Sequence, residues 1–378
     1  MPSNYFTSGT DLVPQLVSRD YYPSTLPPNG LFSCGYNTNG QLGLGDRTNR
    51  SSPVQVGSLL TWNKVAGGGF HTAATKTDGS LWAWGYNANG QLGLGDRTNR
   101  SSPVQVGSLM TWNNVTCGAF HTVATKTDGS LWTWGRNDNG QLGLGDIAHR
   151  SSPVQVGSLL TWNNIACGYQ HTLATKTDGS LWTWGQNTNG QLGLGDRTNR
   201  SSPVQVGSLL TWNKVAGGNY HTLATKTDGS LWTWGQNTNG QLGLGDRTNR
   251  SSPVQVGTLL TWNNIAGGVY HTTATKTDGS LWAWGSNSIG ELGLGDNTKR
   301  SSPVQVGSLL TWNNVVGGYQ HAAATKTDGS LWAWGYNTNG QLGLGDATNR
   351  SSPVQVGSLL TWKNIACGNY HTIATMKS

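Results

Sequence analysis

The sequence is short of almost everything that marks an enzyme, a metal protein or a membrane protein. Charged residues make up only 11% of its 378 residues. No run of about 18 apolar residues occurs, which excludes a hydrophobic helical span and predicts no membrane insertion. Cysteine is limited to Cys34, Cys117, Cys167 and Cys367, with no CxxC pair, so neither a zinc site nor a redox motif is indicated. Reduced, buried thiols are the expectation. The first twenty residues lack a basic segment followed by an apolar core, so a signal peptide is not expected and the predicted location is cytoplasmic or within a virion. The net charge of +7 and pI near 9.3 invite a nucleic-acid reading, yet no run of lysine or arginine is present. Arginines recur singly, at Arg50, Arg100, Arg150 and onward, with acids at matching intervals, so nucleic acid is not the expected partner.

What is abundant is glycine (55) and tryptophan (19). The stretch Gly40-Gln41-Leu42-Gly43-Leu44-Gly45-Asp46 returns every 50 residues, seven times in all, with Glu291 as its one departure from glutamine. A period of this size marks a propeller, a solenoid or an array. Every tryptophan falls at the repeat positions of Trp62, Trp82 or Trp84. Residues 1–30 stand outside the repeats, as a polar arm with aromatic anchors, and residues 31–378 are expected to form one repeat domain.

Each unit reads as four short strands. Leu60 to Ala66 and Phe70 to Lys76 form the first two, and Asp78-Gly79 predicts a tight type I′ hairpin before Ser80 to Gly85. A fourth strand, Pro53 to Val56, begins on a proline, as suits a sheet edge. Leu81 and Ala83 point to one side of the third strand, Trp82 and Trp84 to the other, so both faces need covering. Sheets stacked about an axis supply that cover. The expected fold is therefore all-β: a seven-bladed β-propeller of four-stranded blades. A solenoid would need polar capping units at its ends. Here the ends look like two halves of one blade. The last unit stops after its second strand and the first begins at its third, so N- and C-terminal strands are predicted to share a blade and close the ring.

A kelch propeller has a similar period. The run NGQLGLGD, the proline-led SSPVQV, then V-A-G-G-x-x-H-T and A-T-K-T-D-G-S-L-W-x-W-G resemble instead the regulator of chromosome condensation repeat, over residues 31–378. That resemblance implies the shared closing blade, but not one function. Similar propellers include an exchange factor for the small GTPase Ran, a plant ultraviolet-B receptor, a bacterial inhibitor of β-lactamases and many interaction domains. The exchange factor's inserted wedge has no counterpart here, because all units keep one length. The receptor's G-W-R-H-T segment is also missing: the chain has Gly-Gly-Phe-His-Thr at 68–72 and Gly-Tyr-Gln-His-Thr at 168–172.

No catalytic, metal-binding or cofactor-binding set emerges. His71, His121, His171, His221, His271, His321 and His371 repeat once per unit, and radiating blades keep equivalent residues from converging on a metal. They are expected to be half-buried imidazoles bonded to backbone. Asp46, Asp78 and their counterparts account for 13 of the 17 acids, which leaves only Asp11, Asp20, Asp138 and Glu291 outside the pattern. An active site needs unlike residues in one place, and copies do not supply that. The glycine-rich run lacks the following helix and the lysine of a phosphate loop, so its glycines are read as a tight connection.

Function is then expected where copying fails. Between the first and second strands a variable crown holds Phe70, Phe120, Tyr169, Gln170, Tyr220, Tyr270, Tyr319, Gln320 and Tyr370, a composition suited to protein contact. Two further variable patches lie at Arg47-Thr48-Asn49 and at Tyr36, with their counterparts. The expectation is a non-enzymatic protein-binding scaffold, tethered through Tyr5, Phe6, Tyr21 and Tyr22 of the arm to a larger symmetric assembly such as a virion fibre or cell surface. A GTPase regulator or an enzyme inhibitor is the alternative.

Overall fold

The computed structural model describes residues 30–58 and 60–377, which form 28 strands, β1 to β28 in chain order, and no helix. They assemble into seven four-stranded antiparallel sheets. Six blades are contiguous: blade I spans residues 62–105, and blades II to VI span 112–155, 162–205, 212–255, 262–305 and 312–355. Blade VII has the order β2-β1-β28-β27 and joins the chain ends. Its β1 (Leu31–Gly35) pairs with β28 (His371–Met376) from Leu31↔Thr375 to Gly35↔His371. The predicted seven-bladed ring and its shared closing blade are therefore present. Among the described residues no helix is long and apolar enough to cross a membrane.

In blade I, β3 (Trp62–Gly67) lines the central channel, followed outward by β4 (His71–Lys76), β5 (Leu81–Gly85) and β6 (Arg100–Gln105). Both sides of β5 are filled, as its residues demand. Trp84 is fully buried and meets Trp62 edge-on at 5.8 Å. Trp82 is half-buried, and the Lys76 ammonium lies 3.6 Å from its ring centroid and 5.0 Å from that of Trp62. That cation–π sandwich keeps a lysine stem in the core without an ion pair.

Three local expectations shift. The hairpin holds three residues, Thr77 to Gly79, closed by Gly79 N–H to the Lys76 carbonyl and Lys76 N–H to the Ser80 carbonyl. Gly79 carries the positive φ (79°), and Asp78 accepts from Ser80 N–H (2.9 Å) in place of a type I′ geometry. The outermost strand begins at Arg50 and runs through Pro53, since a bulge between the Ser33 and Gly35 pairings accommodates the missing donor on an edge strand. The innermost strand begins at Trp62, leaving Leu60 in an exposed loop.

Candidate functional site

Chain direction gives the ring two unlike ends. The turns from innermost to second strand and the glycine-rich connections lie at one end, called face A. The Asp78-type hairpins and the loops joining blades lie at the other, face B. Face B is copied: Leu159, Leu160, Leu209, Leu210 and their counterparts stand about half-exposed, beside exposed aspartates such as Asp78. Face A holds all three variable patches read from the sequence.

The crown forms a belt around the channel mouth, with one aromatic per blade at either of two adjacent turn positions. Where Tyr169 and Tyr319 take the first position, Gln170 and Gln320 take the second. Ring centroids step around the belt: Tyr319–Tyr370 5.0 Å, Tyr370–Phe70 6.0 Å, Phe70–Phe120 6.3 Å, Phe120–Tyr169 5.9 Å, Tyr169–Tyr220 5.8 Å and Tyr220–Tyr270 6.4 Å. All seven aromatics and Gln320 are half-exposed, whereas Gln170 is buried and offers its amide little to a partner. The Tyr36 position belongs to the belt as well. Tyr36 lies edge-on to Phe70 and Tyr370, Tyr86 to Phe120, Tyr336 to Tyr370, and the Arg136 guanidinium sits over Phe120.

Beneath the rings the turns bond to one another in a closed circle. Gly69 N–H donates to the Ala119 carbonyl (3.1 Å), Ala119 to Tyr169, Tyr169 to Asn219 and Asn219 to Gly268. Val269 donates to Tyr319, Tyr319 to Asn369, and Asn369 back to Gly68. The belt is thus mounted on a continuous backbone ring. It frames a channel cavity of about 370 Å³ lined by the innermost strands of all seven blades. Burial, then neighbouring tyrosines, raise the phenol pKa of Tyr220 and Tyr270, and push that of Tyr370 up to about 12, so these three phenols are uncharged near neutral pH.

Outside the belt lie the glycine-rich connections. Asp46 pairs with Arg50, as does each counterpart with its own arginine. Arg47, Arg97, Arg197 and Arg247 are exposed and make no ion pair among the described residues. His149 contacts Asp138 at 2.6 Å, and Asp138 also pairs with Arg136. Sequence reading noted the 47–49 patch but treated basic charge as evenly matched by acid. The structure separates matched arginines from unmatched ones.

The histidines differ from expectation too. All seven are fully buried or nearly so, and six bond to a side chain of the next blade rather than to backbone. His71 Nε2 meets Thr122 Oγ1 (2.9 Å), and His371 meets Thr72 (3.0 Å). Thr72 donates its one hydroxyl hydrogen to the Gln41 carbonyl (2.8 Å), so it accepts from His371, which fixes the neutral Nε2–H tautomer. Trp84 Nε1–H donates to the same carbonyl (3.0 Å). The Gly40–Asp46 run is therefore the blade joint. At Gly43 (φ 74°) a Cβ would meet Trp84 Nε1 at 2.7 Å, so that position admits only glycine. Burial holds six of these histidines at a pKa of about 3.

The joint between blades V and VI departs. Ala322 stands where Thr belongs, and His271 Nε2 has no hydrogen-bond partner among the described residues. The neighbouring connection carries Glu291, fully buried, which accepts from Ser286 Oγ (2.7 Å) and Ile289 N–H (2.8 Å). Burial lowers the His271 pKa and the Glu291 carboxylate opposes that shift.

Cys117, Cys167 and Cys367 line the channel, Cys34 is buried, and all four are free. Burial pushes the thiols of Cys34, Cys117 and Cys367 up to about 12. Among the described residues no group of three or more His, Cys, Asp or Glu could hold a metal. Tyr5, Phe6, Tyr21 and Tyr22 lie outside the described residues, and with them the expected tether.

Comparison with curated protein sequences returns no match. Solved structures of the same shape are numerous. The crystal structure of human WBSCR16 matches with a TM-score of 0.83 at 22% identity, over 93% of this chain and 100% of that one. Prp20p from Saccharomyces cerevisiae matches with a TM-score of 0.82 at 21% identity, over 94% and 92% of the two chains. Such identities establish the fold alone. The sequence profile of the Regulator of chromosome condensation (RCC1) repeat, however, matches residues 29–75, 78–125, 128–175, 178–225, 228–275, 278–325 and 328–375. With seven matched repeats filling the ring, the chain belongs to the regulator of chromosome condensation (RCC1) repeat family.

Proposed function

We propose that the chain is a non-enzymatic protein-binding module and that it binds through the crown of face A. The observation that carries this reading is the belt of one half-exposed aromatic per blade on a closed backbone ring. Aromatic side chains supply large contact area at low entropic cost, and hot spots are enriched in them. A platform already bonded in a circle loses little further freedom on binding. The polar groups of six joints are buried copies with structural partners, and the departing pair at the seventh, His271 and Glu291, is buried as well.

A photo-crosslinking residue placed at Tyr220 should capture a partner in the native host, while one at Leu210 on face B should not. Replacing Tyr169, Tyr220, Tyr270 and Tyr319 together by alanine should leave the melting temperature nearly unchanged and abolish capture at Phe120. Capture that survives the four replacements removes the crown as the binding surface. A second reading, regulation of a small GTPase, draws on Prp20p, whose structure is described with binding properties to Gsp1p and histones. It predicts that the captured partner is a GTP-binding protein whose nucleotide release the chain accelerates.

A further inference from the structure

Resting on that reading, we infer that the partner surface is acidic, steered onto the crown by the unmatched arginines that surround it. Face A is surplus in one sign of exposed charge. Its aspartates of the Asp46 type are each held by an arginine four residues on, Asp138 is held by Arg136 and His149, and Glu291 is buried. What remains outward are Arg47, Arg97, Arg197, Arg247 and Lys299, the last reaching only the neutral Asn239 (2.7 Å). No exposed acid on this face, among the described residues, is left to balance them.

Their arrangement is directional. Arg47 and Arg97 lie on blades VII and I, and Arg197, Arg247 and Lys299 on blades III, IV and V. Ile147, 65% exposed, and Ala347 interrupt the circle at blades II and VI. Two basic arcs therefore flank an uncharged aromatic centre. An aromatic core with a charged rim is the anatomy of a protein–protein interface, whereas a duplex nucleic acid calls for a continuous basic track. Face B contrasts with it: Lys76 and its counterparts fold onto tryptophans while the Asp78-type carboxylates stay exposed, intermixed with the exposed Lys363 and Lys377, so that end carries both signs. An acidic partner is thus directed to face A, where the unmatched exposed charge is of one sign. Rim charges act mainly on the association rate, desolvated aromatics on dissociation.

The test takes random peptides selected by display on the full chain, with short duplex DNA as a second probe, and measures association and dissociation rates at low and high salt. Selected peptides should be acidic and carry an apolar residue. Reversing four arginines together (R47E, R97E, R197E, R247E) should slow their association by about tenfold or more at low salt, with dissociation little changed. Thermal melting of the same variant checks that the ring is intact. The four-tyrosine variant should instead accelerate dissociation. Neutral or basic peptides that still require the crown, or association indifferent to the arginines, overturn the acidic partner and leave the crown reading standing. Peptides that bind independently of the crown tyrosines overturn that reading itself. Duplex DNA that outcompetes the peptides through the four arginines makes face A a nucleic-acid surface and overturns the inference.

Discussion

Blade VII and the six contiguous blades have the same four-stranded sheet but different fillings. In blade I, Trp82, Trp84 and Lys76 pack around Trp62. In blade VII the equivalent positions are Phe32, Cys34 and Met376, around Trp362. Phe32 meets Trp362 edge-on at 5.7 Å, but the cation–π sandwich is gone. Cys34 reaches for the Gln341 carbonyl at 3.7 Å, where a tryptophan N–H would otherwise donate. The missing indole leaves a void of about 10 Å³ bounded by Phe32, Cys34, Pro53 and Trp362. Closure therefore does not depend on the copied fillings. It depends on the backbone ladder between β1 and β28, which no side chain replaces.

Breaking that ladder should have the largest effect. Removal of residues 361–378 deletes both inner strands of blade VII, strips β1 of its partner and opens two sheet edges. The expected outcome is loss of the cooperative unfolding transition in calorimetry, with aggregation. A soluble truncated chain that melts in one sharp transition shows that the ring does not need its shared blade.

The contrast in fillings predicts a smaller, graded effect. Trp84→Ala empties a fully buried site and removes a donor to the Gln41 carbonyl, at a cost of about 3–5 kcal/mol. Cys34→Ala removes one sulfur beside an existing void and should cost about 1 kcal/mol. Denaturant titration of both variants measures the gap. Equal losses indicate that blade VII is packed as tightly as its neighbours.

Most of the architecture was legible in the sequence because it is written seven times. The 50-residue period, the tryptophan positions and the split ends identify the ring, and the variable turn positions identify face A before any coordinates. The blade joint was less legible. Its central acceptor is the backbone carbonyl of Gln41, which carries no side-chain signature, and its partners Thr72 and His371 lie 31 and 330 residues away. Yet one signal was available: His-Thr in six units becomes His321-Ala322 in the seventh. Ser286 and Glu291 sit five residues apart in one connection, whereas Ala322 belongs to the next unit and joins them only through the fold.

That altered joint supports the last and smallest comparison, one joint against six. A histidine held neutral by burial binds its proton more weakly in the folded chain than in the unfolded one. It therefore subtracts stability as pH falls below the unfolded value of about 6.5, down to its folded pKa. For six histidines that folded pKa is about 3, so the ring should weaken steadily across this window. His271 should behave differently on two grounds. It lacks the threonine that accepts from its neutral tautomer, and the buried Glu291 carboxylate favours its protonated form. As pH falls it should take up a proton before the others. NMR of the imidazole nitrogens should show, among the seven joint histidines, six Nε2–H tautomers that persist while one ring titrates. Ala322→Thr restores the missing hydroxyl, and should add about 0.5–1.5 kcal/mol and bring the seventh histidine into line. Glu291→Gln should lower its proton affinity without restoring the bond. Seven histidines that titrate alike in the parent chain would show that the joint between blades V and VI is electrostatically the same as its six copies.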